Sequence, residues 1–403
     1  MKAKKEIFIG LGILIILIGA IIGIKTFTDN GKTEEEKYKN LTQVYVATGG
    51  GKENFIADED VNKILHKNYK INVVYDTWSN GKTVLWPLIR ESVGKGNKQI
   101  ADELNKNHFA YTVTSSGVSK YDVLFTSDQR FYDYFKVSAD TSKGESQRET
   151  VKSGNLTLNT PIVIYSWDTV VDALIKEKIV TEKDGTYYIT DMNKLITYFL
   201  QGKEWKDIGV NNIYGKIKVD STDPVKSSPG ATYYGLLLSI MCGGTVTDQN
   251  FEKNLAQLKD FYEKSGYMMH APADLFDRYL RNGMGAEPMI VDYEKSLIDF
   301  ANSNPDGWAQ VKDKVRVLYP TPTIWNSHCI ATFTDNGDIY YKAINDKEIG
   351  QIAWSKYGFR TGVTGGNYDV SSVNINGIPQ SIDSTVSSLK MEYYDKMIEY
   401  LGK

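Results

Sequence analysis

The sequence predicts an α/β protein of two lobes with mostly parallel sheets, joined by a two-segment hinge and preceded by one N-terminal transmembrane helix. Three observations predict it. Strand-like runs alternate with amphipathic helical stretches along most of the chain, the pattern of parallel sheets covered on both faces. The chain has 403 residues, 41% of them hydrophobic, which is material for two cores. Residues 7–24 are apolar without one charge.

That first segment sets the expected location. At about 1.5 Å per residue it nearly spans a hydrocarbon core of roughly 30 Å. Lys2, Lys4 and Lys5 precede it, and Glu34, Glu35 and Glu36 follow. The positive-inside bias therefore predicts a cytoplasmic tail at 1–6, a bilayer anchor at 7–24 and a linker at 25–40. The protein is expected in the cell membrane, single-pass, with its C-terminal part extracellular. A cleaved signal would have a shorter apolar core and a small-residue site behind it, and Lys25-Thr26-Phe27 supplies a poor one.

Lobe 1 is expected to begin at residue 41 and run to 160. Residues 41–47 read as a strand ended by Thr48-Gly49-Gly50-Gly51, then a helix capped by Asn54. A strand at 70–75, helices near 84–93 and 99–106, and a strand at 121–126 follow, with a polar loop at 136–155. Lobe 2 is expected over 161–318. It opens on the strand 160–167 and the helix 168–178. A helix at 191–200, a strand at 216–219 and a helix at 231–241 come next. Helices near 249–265 and 273–281, the strand 287–291, a helix at 293–301 and the strand 315–318 complete it. Residues 319–403 are expected to return to lobe 1 as turns, short strands and a last helix, 384–401. The segments 160–167 and 319–325 are the two expected crossings.

Ligand contacts are sought where strands end, because α/β proteins bind there. Thr48, Gly49 and Gly50 close the first strand and offer backbone N–H groups. Ser127 stands at another strand end, beside Asp128. Ser227 and Ser228 precede Pro229 at the start of a helix, where hydroxyls, free N–H groups and the positive dipole end favour an anion or another polar acceptor. A serine there is equally an ordinary N-cap, and three glycines are equally a plain turn. Tyr293 closes the strand before a helix, placed to point into a cleft or to cap the sheet edge. An oxyanion suits the hydroxyls, whereas Asp128 in the same pocket would repel one.

Other chemistries find little footing. Net charge is −3 with no basic block beyond the first residues, so nucleic acid has no electrostatic footprint. The four histidines, His66, His108, His270 and His328, are scattered without metal spacing, and His328-Cys329 are neighbours that point to opposite faces of a strand. No catalytic triad, metal site or cofactor motif can be assembled. Cys242 and Cys329 fall in different expected lobes, which predicts two free thiols.

In order and spacing these features resemble the bilobal extracellular solute-binding proteins of ABC importers, of the class that includes the molybdate-, sulfate- and phosphate-binding proteins. The matching pieces are Thr48-Gly49-Gly50, the 121–128 strand, the 161–167 crossing and the serine-rich helix start at 222–235. Later ones are 286–296, 315–323 and Tyr357-Gly358-Phe359-Arg360. The resemblance implies a small-molecule or oxyanion ligand and an ABC permease as partner, with no enzyme activity, cofactor, metal or nucleic acid. On it Thr48, Gly49, Gly50 and Ser127 supply first-lobe contacts, and Ser227, Ser228 and Tyr293 second-lobe contacts. The chain departs from the pattern in lacking a lipid-attachment cysteine, which keeps a sensing or structural ectodomain open beside transport. An extracellular hydrolase is the enzyme alternative.

Overall fold

A single strand of 15 residues, Ser153–Trp167, runs through both halves of this protein. The computed structural model describes residues 38–78, 113–114, 117–118, 122–130, 132, 152–361, 369–373 and 375–403. Gln43–Lys403 forms one compact unit. In chain order the strands are β1 (Thr42–Gly49), β2 (Ile71–Trp78), β3 (Val113–Thr114), β4 (Gly117–Val118), β5 (Val123–Phe125), β6 (Ser153–Trp167), β7 (Val180–Lys183) and β8 (Thr186–Ile189). Then come β9 (Met289–Tyr293), β10 (Val315–Pro320), β11 (Thr323–Thr332), β12 (Arg360–Thr361) and β13 (Thr385–Val386). All but β3 and β4 join one sheet, ordered β2-β1-β5-β11-β6-β10-β8-β7, with β9 and β12 also on β6 and β13 on β11.

The sheet is mixed. β1 pairs β5 in parallel, and so do β8 and β10. Every partner of β6, namely β9, β10, β11 and β12, is antiparallel. The sheet expected to be mostly parallel is thus mixed, with antiparallel pairing around β6. β6 carries the chain out and β10–β11 bring it back alongside, and a return along the same path is antiparallel.

Two cores form, and β6 enters both. Its first half pairs β11 from Ser153 to Pro161, and Leu158 lies in a core with Val44, Val46, Phe55, Phe125, Ile330, Tyr340 and Phe359. From Ile162 onward it lies between β9 and β10, in the larger core with Tyr234, Leu237 and Leu318. The run Ile162-Val163-Ile164-Tyr165 is fully buried, as expected of apolar β-formers covered on both faces. These two bodies are called lobe 1 and lobe 2 below.

The C-terminal segment departs from expectation. Tyr393, Tyr394, Met397 and Leu401 of the last helix, Met391–Leu401, are buried in the lobe 2 core, with Tyr393 4.9 Å from Phe251 ring to ring. The chain therefore passes between the cores a third time, between Phe359 and Val373, beyond the two expected crossings. Lobe 1 is instead completed by helices Asp335–Ile344 and Lys347–Tyr357, where turns and short strands were expected. The helix cap expected at Asn54 is supplied by Asp58, whose carboxylate accepts the Asp60 and Val61 N–H groups. The expected strand at 216–219 makes only isolated bridges at Lys216 and Asp220.

The single-pass membrane localisation is also corrected. Among the described residues no helix is long and apolar enough to cross a membrane. Residues 7–24, the basis of that expectation, lie outside the described residues, as do the helices expected near 84–93 and 99–106. Both cysteines are free thiols, Cys242 half-buried and Cys329 buried.

Candidate functional site

β1 ends at Gly49 beside Ser127, two residues past the end of β5. A Cβ on Gly49 would lie 2.8 Å from the Ser127 Cβ and backbone nitrogen, so only glycine lets these strand ends approach so closely. Gly50 and Gly51 continue the turn, and the Glu53 carboxylate accepts the Gly51 N–H at 2.7 Å. Thr48 is fully buried with its hydroxyl donating to the Gly49 carbonyl at 3.1 Å, so it serves the turn from within lobe 1.

Across from these strand ends lies the helix Ser228–Met241, mostly apolar and buried from Pro229 to Ile240. Pro229 suits its first turn, and Gly230 lets it press on Thr222, whose carbonyl oxygen would lie 2.1 Å from an added Cβ. The two adjacent serines diverge. The Ser227 hydroxyl pairs with Thr222 Oγ1 at 2.7 Å, within lobe 2. The Ser228 hydroxyl donates to Asp128 Oδ2 at 3.0 Å, and thus reaches lobe 1.

Asp128 is not an open negative charge. Arg130 grips it with Nε on Oδ1 at 2.8 Å and Nη2 on Oδ2, a fork closed within one turn of lobe 1. The same Nη2 extends to Ser228 Oγ at 3.1 Å and Thr232 Oγ1 at 3.4 Å, and the guanidinium lies 3.8 Å over the Tyr394 ring. Tyr293 completes the seam. Its hydroxyl is buried among Asp128, Arg130, Ser228 and Thr232 without a well-aligned hydrogen bond; burial and the Asp128 charge raise its pKa, while Arg130 and the nearby Thr232 and Ser228 hydroxyls offset part of that rise. The structure thus brings Gly49, Ser127, Ser228 and Tyr293 to the line where the lobes meet, while Thr48 and Ser227 turn their hydroxyls into their own lobes.

Sequence reasoning missed Arg130, Thr232 and Lys52. Lys52 is 2% exposed and its ammonium donates to the carbonyls of Gly49 at 2.9 Å and Thr126 at 3.2 Å, beneath both strand ends. Burial lowers its pKa to about 7. Its place directly after Thr-Gly-Gly-Gly was the available signal, because a lysine following a glycine turn at a strand end meets the freed carbonyls. Arg130, two residues after Ser127-Asp128, offered a similar one. Behind the seam, Arg360 of β12 forks Glu294 with Nε at 2.7 Å and Nη2 at 2.8 Å. Tyr319 donates to the same carboxylate at 2.7 Å, and Arg360 also reaches the Pro379 and Gln380 carbonyls. Among the described residues no group of three or more histidines, cysteines and carboxylates is placed to hold a metal ion.

No protein-family model matches this chain, and no curated protein is similar to it in sequence. Solved structures are similar in fold. A protein of Bordetella parapertussis assigned as an extracellular solute-binding protein superposes with a TM-score of 0.55 at 11% identity, over 89% of this chain and 96% of that one. An ABC transporter protein of Clostridium perfringens gives 0.52 at 14% identity, over 89% and 98%. The apo ferric ion-binding protein A of Pasteurella haemolytica gives 0.50 at 11% identity, over 90% and 97%. The fold is therefore that of the bilobal solute-binding proteins.

Proposed function

We propose that this chain is a solute-binding protein of an ABC importer, which closes its two lobes on a small polar or oxyanionic ligand and delivers it to a membrane permease. One observation carries the reading. The Tyr293 hydroxyl is buried and unpaired at the meeting of the lobes, among the hydroxyls of Ser228 and Thr232 and the Asp128–Arg130 fork. An unpaired buried hydroxyl costs about 1–3 kcal/mol, and a ligand oxygen in the closed form would remove that cost. First-lobe contacts then come from Gly49, Gly50, Ser127 and Arg130, and second-lobe contacts from Ser228 and Tyr293. The Arg130 fork compensates Asp128, so that carboxylate no longer argues against an oxyanion.

The mechanism is a population shift. Contacts from both lobes exist together only when the lobes are closed, so the ligand favours that form by its differential affinity. Separate cores and a few neighbouring chain passages support rotation of one lobe against the other.

The test begins with a thermal-shift screen of the purified protein, since a ligand of the folded state raises Tm by mass action. Calorimetry with the ligand found should then show Ser228→Ala weakening binding about two- to twelve-fold, the value of one neutral hydrogen bond. A folded Ser228→Ala variant with parental affinity removes this helix start from the site. Recovery of the ligand chemically changed would contradict a binding protein.

A further inference from the structure

Among the described residues three lysine or arginine side chains are buried, Lys52, Arg130 and Arg360. Both arginines hold a carboxylate in a fork. Lys52 has none. Its partners are the Gly49 and Thr126 carbonyls and the face of the Phe125 ring, 4.7 Å away. A buried ammonium held only by dipoles is costly, and the usual compensation is an anion. The geometry points to an anion subsite between Lys52 of lobe 1 and Lys295 of lobe 2, with His328 behind it, that receives a negatively charged oxygen group of the ligand. This rests on the solute-binding reading above.

Lys295 stands at the start of the helix Glu294–Ser303, with its N–H on Thr160 Oγ1 at 3.2 Å. Its Cε lies 4.0 Å from where a Gly51 side chain would begin, so it crosses to the glycine turn under which Lys52 sits. Its ammonium is 5.0 Å over the Phe359 ring, and that ring meets His328 edge-on at 5.0 Å. His328 is buried, and burial, Lys52 and Lys295 together hold it neutral, well below the ordinary histidine range. Asn326 Nδ2 donates to the Ser127 carbonyl at 3.0 Å and lies 3.3 Å from His328 Nε2. An amide nitrogen only donates, so Nε2 accepts and the ring proton is assigned to Nδ1. That Nδ1–H has no acceptor in the structure. Two cations from opposite lobes thus approach the turn of residues 49–52, and both act on the neighbouring His328, whose ring donor is orphaned.

The surrounding acids are few. Glu53, on the Gly51 N–H, acts on Lys52, while Cys329 acts on it more weakly; Asp292 and Asp299 face Lys295. Since burial and Lys295 keep Lys52 close to losing its proton, an arriving anion raises its proton affinity. Binding therefore takes up a proton above pH 7, and affinity falls as pH rises from there, by up to about ten-fold per unit.

The test is calorimetric titration of the protein with inorganic phosphate, sulfate and molybdate, and with maltose as a neutral solute, from pH 6 to 8.5 in buffers of differing ionisation heat. The expected result is binding of at least one oxyanion, weakened ten-fold or more by Lys52→Met and by Lys295→Met, largely kept in Lys295→Arg, and accompanied by proton uptake above pH 7. If Lys52→Met does not fold, Lys295→Met decides, since Lys295 is only half-buried. Parental oxyanion affinity in the folded methionine variants overturns the subsite, and so does failure of all three oxyanions to bind. Maltose binding that Ser228→Ala weakens and the lysine variants leave alone overturns the subsite but keeps the solute-binding reading.

Discussion

Two arginine–carboxylate forks are buried among the described residues, and they relate the lobes in opposite ways. Arg360–Glu294 joins them by charge. The arginine sits on β12 against lobe 1, the glutamate opens a lobe 2 helix, both are at most 1% exposed, and Tyr319 with two backbone carbonyls fills the remaining bonds. Asp128–Arg130 keeps its charges within one turn of lobe 1 and meets only neutral groups across the seam, the Ser228 and Thr232 hydroxyls and the Tyr394 ring. Parting the first would strand two charges in the interior. Parting the second leaves the ion pair intact and exposes hydroxyls that water satisfies. The difference separates a fixed pivot from an edge built to open.

The largest expected effect breaks the pivot. Glu294→Gln leaves Arg360 buried without its anion, which typically costs about 3–5 kcal/mol of stability, readable by urea unfolding. A cost no greater than that of Ser228→Ala would dissolve the distinction between the two forks.

Another buried carboxylate, Asp292, has no arginine partner and sharpens the contrast. Burial pushes its pKa from 3.8 to about 6, against the Tyr293 N–H, Ser296 and Lys295. The folded state therefore holds a proton between about pH 4 and 6 that the unfolded state has released. Stability should fall as pH rises through that window, by at most about 1.4 kcal/mol per unit. Asp292→Asn should flatten this slope in unfolding measured from pH 4 to 7, and an unchanged slope would assign it elsewhere.

The two serines supply a smaller test. Ser227→Ala should cost about 1 kcal/mol of stability through its lost bond to Thr222 and leave ligand affinity alone. Ser228→Ala should do the reverse, loosening the closed form, which small-angle scattering of the unliganded protein would report as a larger radius of gyration. Equal behaviour of the two would mean that the seam at Ser228 is as fixed as the interior.

The smallest effect concerns Tyr293. Removing an unpaired hydroxyl by Tyr293→Phe should leave unliganded stability unchanged or raise it by up to about 1 kcal/mol, while weakening the ligand. A loss of stability above that amount would show the hydroxyl already satisfied.

The sequence by itself determined what local pattern can encode. The apolar run of β6, the Ser-Ser-Pro-Gly helix start, the glycine turn after β1 and Tyr293 at a strand-to-helix junction were all legible. Each depends on residues within one or two turns of itself. Sheet direction around β6 was not, because strand alternation does not say that β10 and β11 return along the outgoing strand. The destination of the last helix was equally hidden, since an amphipathic helix shows which face it buries but not against which core. Only the tertiary structure decided that adjacent Ser227 and Ser228 have different partners, that Arg130 cancels Asp128 while reaching a helix 98 positions onward, and that Arg360 meets Glu294 across 66. It also left Lys52 without a carboxylate. Charges in a sequence carry no address, and burial by distant segments fixes which are paired, which are orphaned and where a ligand is wanted.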